Sequence, residues 1–289
     1  MTFGDISDEY SNYRDSKIVL LPVPYDETST WNKGADKGPA AIIEASPIME
    51  LYDIETASEP YKVGIHILPE ISDMTTPERM VESVYTETKK HLGNGKLVVT
   101  LGGEHSVSIG AIRAYAGKFP GMCVLQIDAH ADMRPDYLGS KYNHACVMHR
   151  VKEMCPIVQV GIRSMDVDEK EFTDPKRIYF AHDIFTRKTP WIPEIIELLD
   201  DQVYITIDLD ALDPSIMPST GTPEPGGFGY YGVLELVRTV IASRKVVGFD
   251  IVELCPNDID KAPDFLACKL FYKMLAYKFF GPGKKFLDK

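Results

Sequence analysis

A chain of 289 residues with 44% hydrophobic and 26% charged residues has the proportions of a soluble globular protein, long enough for two average domains or one large α/β domain. Its formal net charge of −12 argues against phosphate-backbone binding and favours a cationic ligand. Residues 1–14 lack the basic and apolar regions of a signal peptide and no stretch reaches the ~20 apolar residues of a membrane helix, so the expectation is a cytoplasmic protein that binds neither nucleic acid nor membrane.

In chain order, the first apolar, β-rich run covers residues 17–22. Residues 77–92 carry Met80, Val81, Val84, Tyr85 and Leu92 at helical spacing. A second run, 96–101, leads into Gly102-Gly103-Glu104-His105 and a helical pattern over 107–115. A third, 122–127, ends in Asp128-Ala129-His130-Ala131-Asp132. Runs at 157–162 and 177–180 follow, then a helix over 191–199 whose first turn suits Pro190 and Pro193. The run 203–207 ends in Asp208-Leu209-Asp210 and opens a Pro- and Gly-rich segment, 211–230. A long ordered loop after a strand is usually functional, and its prolines predict a fixed wall. A helix over 232–242, a strand over 246–252 and a helix over 264–279 complete the chain, with Asp264 the expected N-cap and Gly281 the stop. Short runs without alternation read as strands covered on both faces, and strands alternating with helices predict a three-layer α/β fold. The five cysteines, Cys123, Cys146, Cys155, Cys255 and Cys268, form no CxxC pair and fit reduced thiols.

Three strands therefore end in charged groups that an apolar core would reject. In extended backbone, residues i, i+2 and i+4 share a side. Asp128, His130 and Asp132 meet that rule, as do Asp208 and Asp210. His105 stands at a third strand end. Ligands in open α/β sheets gather at the carboxyl ends of strands. Four crowded carboxylates repel unless cations neutralise them, and two divalent ions would balance them. Imidazole and carboxylate ligation without thiolate suits Mn²⁺, with Fe²⁺, Co²⁺, Ni²⁺ or Zn²⁺ as alternatives. A metal pair can turn a shared water into hydroxide near neutral pH. His144 lies within loop reach as a candidate base or proton shuttle. Glu253 follows a strand and is a candidate for the same rim, with a helix start or a salt bridge as the competing role. His66, His91, His149 and His182 read as structural or surface groups. Cys146 lies beside His144, but nothing marks its thiol as activated.

These segments resemble the ureohydrolase family of arginases and agmatinases over nearly the whole chain. Gly102-Gly103-Glu104-His105-Ser106, Asp128-Ala129-His130-Ala131-Asp132 and Ile207-Asp208-Leu209-Asp210-Ala211-Leu212-Asp213-Pro214 are similar to its three signature motifs. Gly34-Ala35-Asp36-Lys37-Gly38-Pro39 and Gly248-Phe249-Asp250-Ile251-Val252-Glu253 resemble its N-terminal and late segments. The resemblance implies one dimanganese hydrolase domain over residues 1–289, a three-layer α/β/α fold with a parallel eight-stranded sheet. It gives the first metal to His105, Asp128, Asp132 and Asp208, and the second to Asp128, His130, Asp208 and Asp210. His144 becomes the proton shuttle and Glu253 the carboxylate that holds the guanidinium.

The loop 133–143 departs from the arginase pattern and resembles the agmatinase type, as do Gly161-Ile162-Arg163-Ser164 and Gly221-Thr222-Pro223-Glu224-Pro225-Gly226-Gly227. The expected reaction is agmatine to putrescine and urea. Relatives imply guanidinobutyrate, guanidinopropionate, aminopropylagmatine, arginine or a formimino compound as alternatives. Asp136 or Glu224 is expected to face a distal amine. Arg163, Arg134 or Lys141 would instead face a carboxylate, and Asn143 and Thr222 are further candidate contacts. A one-metal deacetylase and a non-catalytic paralogue are alternatives that the complete six-residue ligand set argues against. The resemblance also implies a homo-oligomer, a trimer or hexamer, with the tail 284–289 either disordered or at an interface.

Overall fold

The computed structural model describes residues 2–281; the tail 284–289 lies outside them. Eight strands form one sheet: β1 (Ile18–Val23), β2 (Ile65–Ile67), β3 (Leu97–Gly102), β4 (Cys123–Ile127), β5 (Ile157–Ile162), β6 (Ile178–Phe180), β7 (Gln202–Asp208) and β8 (Lys245–Val252). Their order is β2-β1-β3-β8-β7-β4-β5-β6, and every pairing is parallel. After β3 the chain crosses to β4, runs outward to β6, and returns to insert β7 and β8 into the gap. The strands that end in His105, Glu253, Asp208 and Asp128 are thereby four neighbours at the sheet's centre.

The helices are α1 (Asp8–Ser11), α2 (Gly38–Ala45), α3 (Pro77–Gly93), α4 (Ser108–Lys118), α5 (Val147–Lys152), α6 (Ala181–Thr186), α7 (Ile192–Leu198), α8 (Tyr230–Ser243) and α9 (Ala262–Phe280). Alternate residues of the central strands feed two cores. Ile18, Leu20, Val99 and Leu101 pack with Val237 of α8 and Phe271 of α9. Val19, Leu21 and Val98 pack with Met80 and Val84 of α3 and Ile112 of α4. Such double coverage is why the strands read as continuous apolar runs.

Two local expectations need correction. β2 had no expected run, because a three-residue edge strand, Ile65–Ile67, carries too little pattern to register. Asp264 is not the N-cap of α9: the helix begins at Ala262, with Pro263 in its first turn and Lys261 as cap, so Asp264 is the third helical residue. Proline is pre-set for a first turn and moves the start upstream. Gly281 does end that helix.

The segment 211–230 is irregular but tied down. The Asp213 carboxylate accepts from the backbone amides of Ser215, Gly226 and Gly227, at 3.0, 2.9 and 3.1 Å. Phe228 is fully buried in the core. All five cysteines are free. Burial pushes the Cys146 thiol up to about 12, so it is not an activated nucleophile.

Candidate metal centre

His105 enters the centre from the turn after β3. Gly103 makes that turn possible: a Cβ there would stand 2.0 Å from the Tyr25 carbonyl oxygen. Nδ1 of His105 lies 3.1, 3.0 and 3.4 Å from oxygens of Asp128, Asp132 and Asp208. It is buried, yet it makes no hydrogen bond. A buried nitrogen aimed at three carboxylates without bonding any of them is the arrangement a metal ion satisfies.

The other face of the ring explains which nitrogen is free. Thr206 donates its hydroxyl hydrogen to Asp250, 2.6 Å away, so its oxygen can only accept from His105 Nε2 at 2.9 Å. Nε2 therefore keeps a ring hydrogen, and Nδ1 is the nitrogen left to a divalent ion when one displaces the proton there. Outer partners of this kind fix the tautomer of a metal-binding histidine.

His130 anchors a second cluster. Its Nδ1 lies 2.8 Å from Asp210 Oδ2 and 3.8 Å from Asp128 Oδ1. Two groups of side chains have donor atoms close enough to share an ion: His105 with Asp128 and Asp132, and Asp128 with His130 and Asp210. Asp128 belongs to both. Asp208 stands beside the first through its 3.4 Å approach to His105, and its other oxygen accepts from the Asp210 amide at 2.9 Å. All six expected ligands thus meet.

Buried amides brace this loop. Gln126 donates to Asp128 Oδ2 at 2.7 Å and to the His130 carbonyl at 3.1 Å. Gln159 on the adjacent strand donates to Gln126 and to the Ala131 carbonyl. Asp132 and Glu253 hold left-handed backbone, with φ of 53° and 67°. Such conformations cost about 1–3 kcal/mol each outside glycine and cluster at functional sites.

The charges behave as a cluster short of cations. Burial, and then Asp210, raise the Asp128 carboxyl; burial and Asp128 push Asp132 up to about 7. Burial and Asp210 raise Asp208 strongly. Burial opposes protonation of the imidazoles, but the carboxylates win: Asp128 and Asp132 raise His105 well above its usual range, and Asp210 lifts His130 to about 10. Asp210 is held low against burial by His130. Protons on the rings and acids supply the positive charge that divalent ions would otherwise bring.

The centre floors a cavity of about 300 Å³, whose walls include His144, Glu253, Arg134, Tyr137, Asp166 and Thr222. Glu253 is buried, and its Oε1 accepts from the His105 amide at 2.7 Å. Burial, and then Glu104, raise its carboxyl well above the usual range, so its ionised form needs a cationic partner. Burial lowers His144 to about 4, with His130 and His105 adding to the effect.

The remaining expected contacts separate. Thr222 lines the cavity. Glu224 stands near its edge, 3.9 Å from His130 Nε2. Asp136 and Lys141 are exposed and outside the lining, and Asn143 is buried, its side chain accepting from the Ala145 amide. Arg163 is also outside it. Its guanidinium donates to the carbonyls of Gly161, Asp210, Leu212, Glu224 and Pro225, pinning the 211–230 wall to β5. Arg134 lines the cavity but pairs with Asp166 at 3.0 Å.

Thr206, Asp250, Gln126 and Gln159 were not expected as site residues. One signal was available: each is polar inside a strand buried on both faces, and such a group needs a partner.

The sequence model of the Arginase family matches residues 16–276. The chain belongs to the arginase family. As a family ureohydrolase it is a hydrolase of guanidino compounds. This arginase-family chain is 40% identical over 272 residues to a protein named N(1)-aminopropylagmatine ureohydrolase from Thermus thermophilus, covering 92% of both chains. It is 36% identical over 282 residues to a Synechocystis protein of the same name, covering 94% of this chain and 92% of that one. Among solved structures, agmatine ureohydrolase of Thermoplasma volcanium superposes with a TM-score of 0.85 at 31% identity, covering 96% and 95% of the two chains. Among the described residues, no helix is long and apolar enough to cross a membrane.

Proposed function

We propose that this chain hydrolyses the guanidino group of an agmatine-type amine to urea and a primary amine, within one catalytic domain. One observation carries the reading: two His/Asp clusters that share Asp128 open on the same cavity as the Glu253 carboxylate and the His144 imidazole. His105, Asp128, Asp132 and Asp208 would hold one divalent ion, and Asp128, His130, Asp208 and Asp210 the other. Manganese is favoured by a donor set of imidazole and carboxylate without thiolate. When bound, such a pair offsets the carboxylate charge and supplies a nucleophile from water near neutral pH.

The chain's own groups do the rest. Glu253 keeps Oε1 on the His105 amide, which leaves Oε2 for the guanidinium in a charge-assisted hydrogen bond. That bond orients the planar cation with its central carbon over the clusters. His144 is a neutral imidazole near pH 7, free to accept a proton and pass it to the departing amine nitrogen. Glu224, 3.9 Å from His130 Nε2, is the expected carboxylate that remains for a distal ammonium, since Asp166 is already paired with Arg134.

Agmatine is the substrate that the 133–143 loop suggests. The names of the relatives at 40% and 36% identity favour its aminopropyl extension. A urea-release assay with Mn²⁺ on N(1)-aminopropylagmatine, agmatine, guanidinobutyrate and arginine tests both. The expected result is urea from the first two, with the higher kcat/KM on the extended amine. Hydrolysis of arginine alone, or of none, would overturn the proposal.

A further inference from the structure

The segment that follows β1 reaches the cavity through one buried carboxylate. Glu104 is fully buried. Its Oε2 accepts from the backbone amides of Thr28 and Ser29, at 2.6 and 3.0 Å. Its Oε1 lies 2.5 Å from the hydroxyls of both Thr28 and Ser106. Four donors thus converge on one carboxylate. A carboxylate only accepts, so the Thr28 hydroxyl hydrogen is committed to Glu104.

Two further contacts meet the same threonine oxygen. The His144 backbone amide donates to it at 3.0 Å, and His144 Nδ1 lies 3.1 Å away. With its hydrogen already spent, the oxygen can only accept. The ring must then carry its hydrogen on Nδ1, and Nε2 is left as the one basic nitrogen of a side chain that lines the cavity. The construction repeats the Asp250–Thr206–His105 relay, where the committed hydroxyl selects the opposite tautomer and frees Nδ1 for the centre.

We infer that Glu104 and Thr28 are positioning residues that fix His144 in its Nδ1–H tautomer, so that Nε2 is the atom through which it takes up and delivers the proton. This rests on the reading of His144 as the proton carrier to the leaving amine. The step balances: the proton that Nε2 accepts as water is deprotonated is the one it returns to the amine nitrogen as the C–N bond breaks.

Two measurements test it. The first is neutron diffraction from a deuterated crystal of the Mn²⁺-loaded protein at about pH 8, above the ordinary histidine pKa of about 6.5. A deuteron on His144 Nδ1 alone, with the Thr28 deuteron directed at Glu104, supports the inference. A deuteron on Nε2, or a Thr28 deuteron directed at His144, overturns it. This readout is independent of turnover, so a protein that releases no urea would refute the proposed function while the tautomer is still decided. The second is steady-state kinetics of Thr28→Val and Thr28→Ser with metal content measured alongside. Thr28→Val should lose about 10- to 100-fold in kcat, with KM within about twofold and full metal stoichiometry, and Thr28→Ser should restore most of it. A Thr28→Val enzyme with unchanged kcat, or a Thr28→Ser enzyme as impaired as Thr28→Val, overturns the inference.

Discussion

Replacing Thr206 by valine is the most discriminating perturbation of the metal centre, because it changes no ligand and almost no volume. Thr206 is fully buried on β7, between His105 Nε2 at 2.9 Å and Asp250 Oδ1 at 2.6 Å. Valine removes the oxygen that accepts from one and the hydrogen given to the other. Two buried groups lose a partner, and each costs about 1–3 kcal/mol when left unmade. The metal-free protein should therefore lose about 2–6 kcal/mol of stability, the upper end applying if the ring cannot turn.

The effect on the centre is separate. Nδ1 of His105 is available to an ion only while the hydrogen stays on Nε2. Loss of an outer partner typically costs 10- to 100-fold in metal affinity, about 1.4–2.8 kcal/mol. Competition against a chelating indicator measures it directly, and Thr206→Ser is the control that keeps the hydroxyl. Wild-type metal affinity in Thr206→Val would refute the tautomer argument even if the variant melts earlier. A loss of affinity in Thr206→Ser equal to that in Thr206→Val would place the effect in packing instead.

Three further outcomes follow from the geometry. His130→Ala should hold one divalent ion per chain where the wild type holds two, and should lose about a hundredfold or more in kcat; two ions per chain in the variant would break the ligand assignment. Glu253→Gln keeps an acceptor for the His105 amide but loses the charge that faces the cavity, so kcat/KM should fall by about 30-fold or more, as expected for truncating a buried charge pair worth about 2–5 kcal/mol; unaltered kinetics would remove Glu253 from guanidinium binding. Asp213 is held at about 2 by Ser215, with the Gly226 and Gly227 amides adding to it, below the ordinary carboxyl value of about 3.9. Its folded pKa is depressed, so the stability it gives the 211–230 wall is present above about pH 4 and disappears as pH falls through about 2. Asp213→Asn should flatten that acid limb in a plot of Tm against pH; parallel curves for variant and wild type would show that the wall does not depend on this charge.

The candidate ligands stood out in the sequence because their chemistry conflicts with their setting: Asp128, His130, Asp132, Asp208 and Asp210 sit at alternating positions where apolar strands stop, and bound cations would resolve that conflict. The layered fold was legible for a related reason, since strands buried on both faces cannot alternate. Arg163 shows where such reasoning ends. An arginine beside a site has the same appearance in sequence whether it meets a substrate or gathers carbonyls, and here its partners Glu224 and Pro225 lie some sixty residues downstream. The cap of α9 was misplaced for a local reason: an aspartate suits an N-cap, but a proline one residue earlier suits a first turn better.

The residues that orient the site were hidden by distance along the chain. Thr28 lies 76 residues from Glu104 and 116 from His144; Thr206 lies 101 from His105 and 44 from Asp250. No spacing rule links them, because parallel strands bring together segments that the intervening helices keep far apart in sequence. What the sequence does display is the anomaly itself. Thr206 and Asp250 interrupt strands that are otherwise apolar, and Gln126 and Gln159 do the same on β4 and β5. A buried polar side chain obliges a partner, so each announces a network without naming its other member. The ligand motifs specify which atoms can bind an ion, whereas the hydroxyls of Thr206 and Thr28 determine which ring nitrogen carries the hydrogen. Valine at these two threonines should therefore disturb metal affinity in one case and proton transfer in the other, without altering a single candidate ligand.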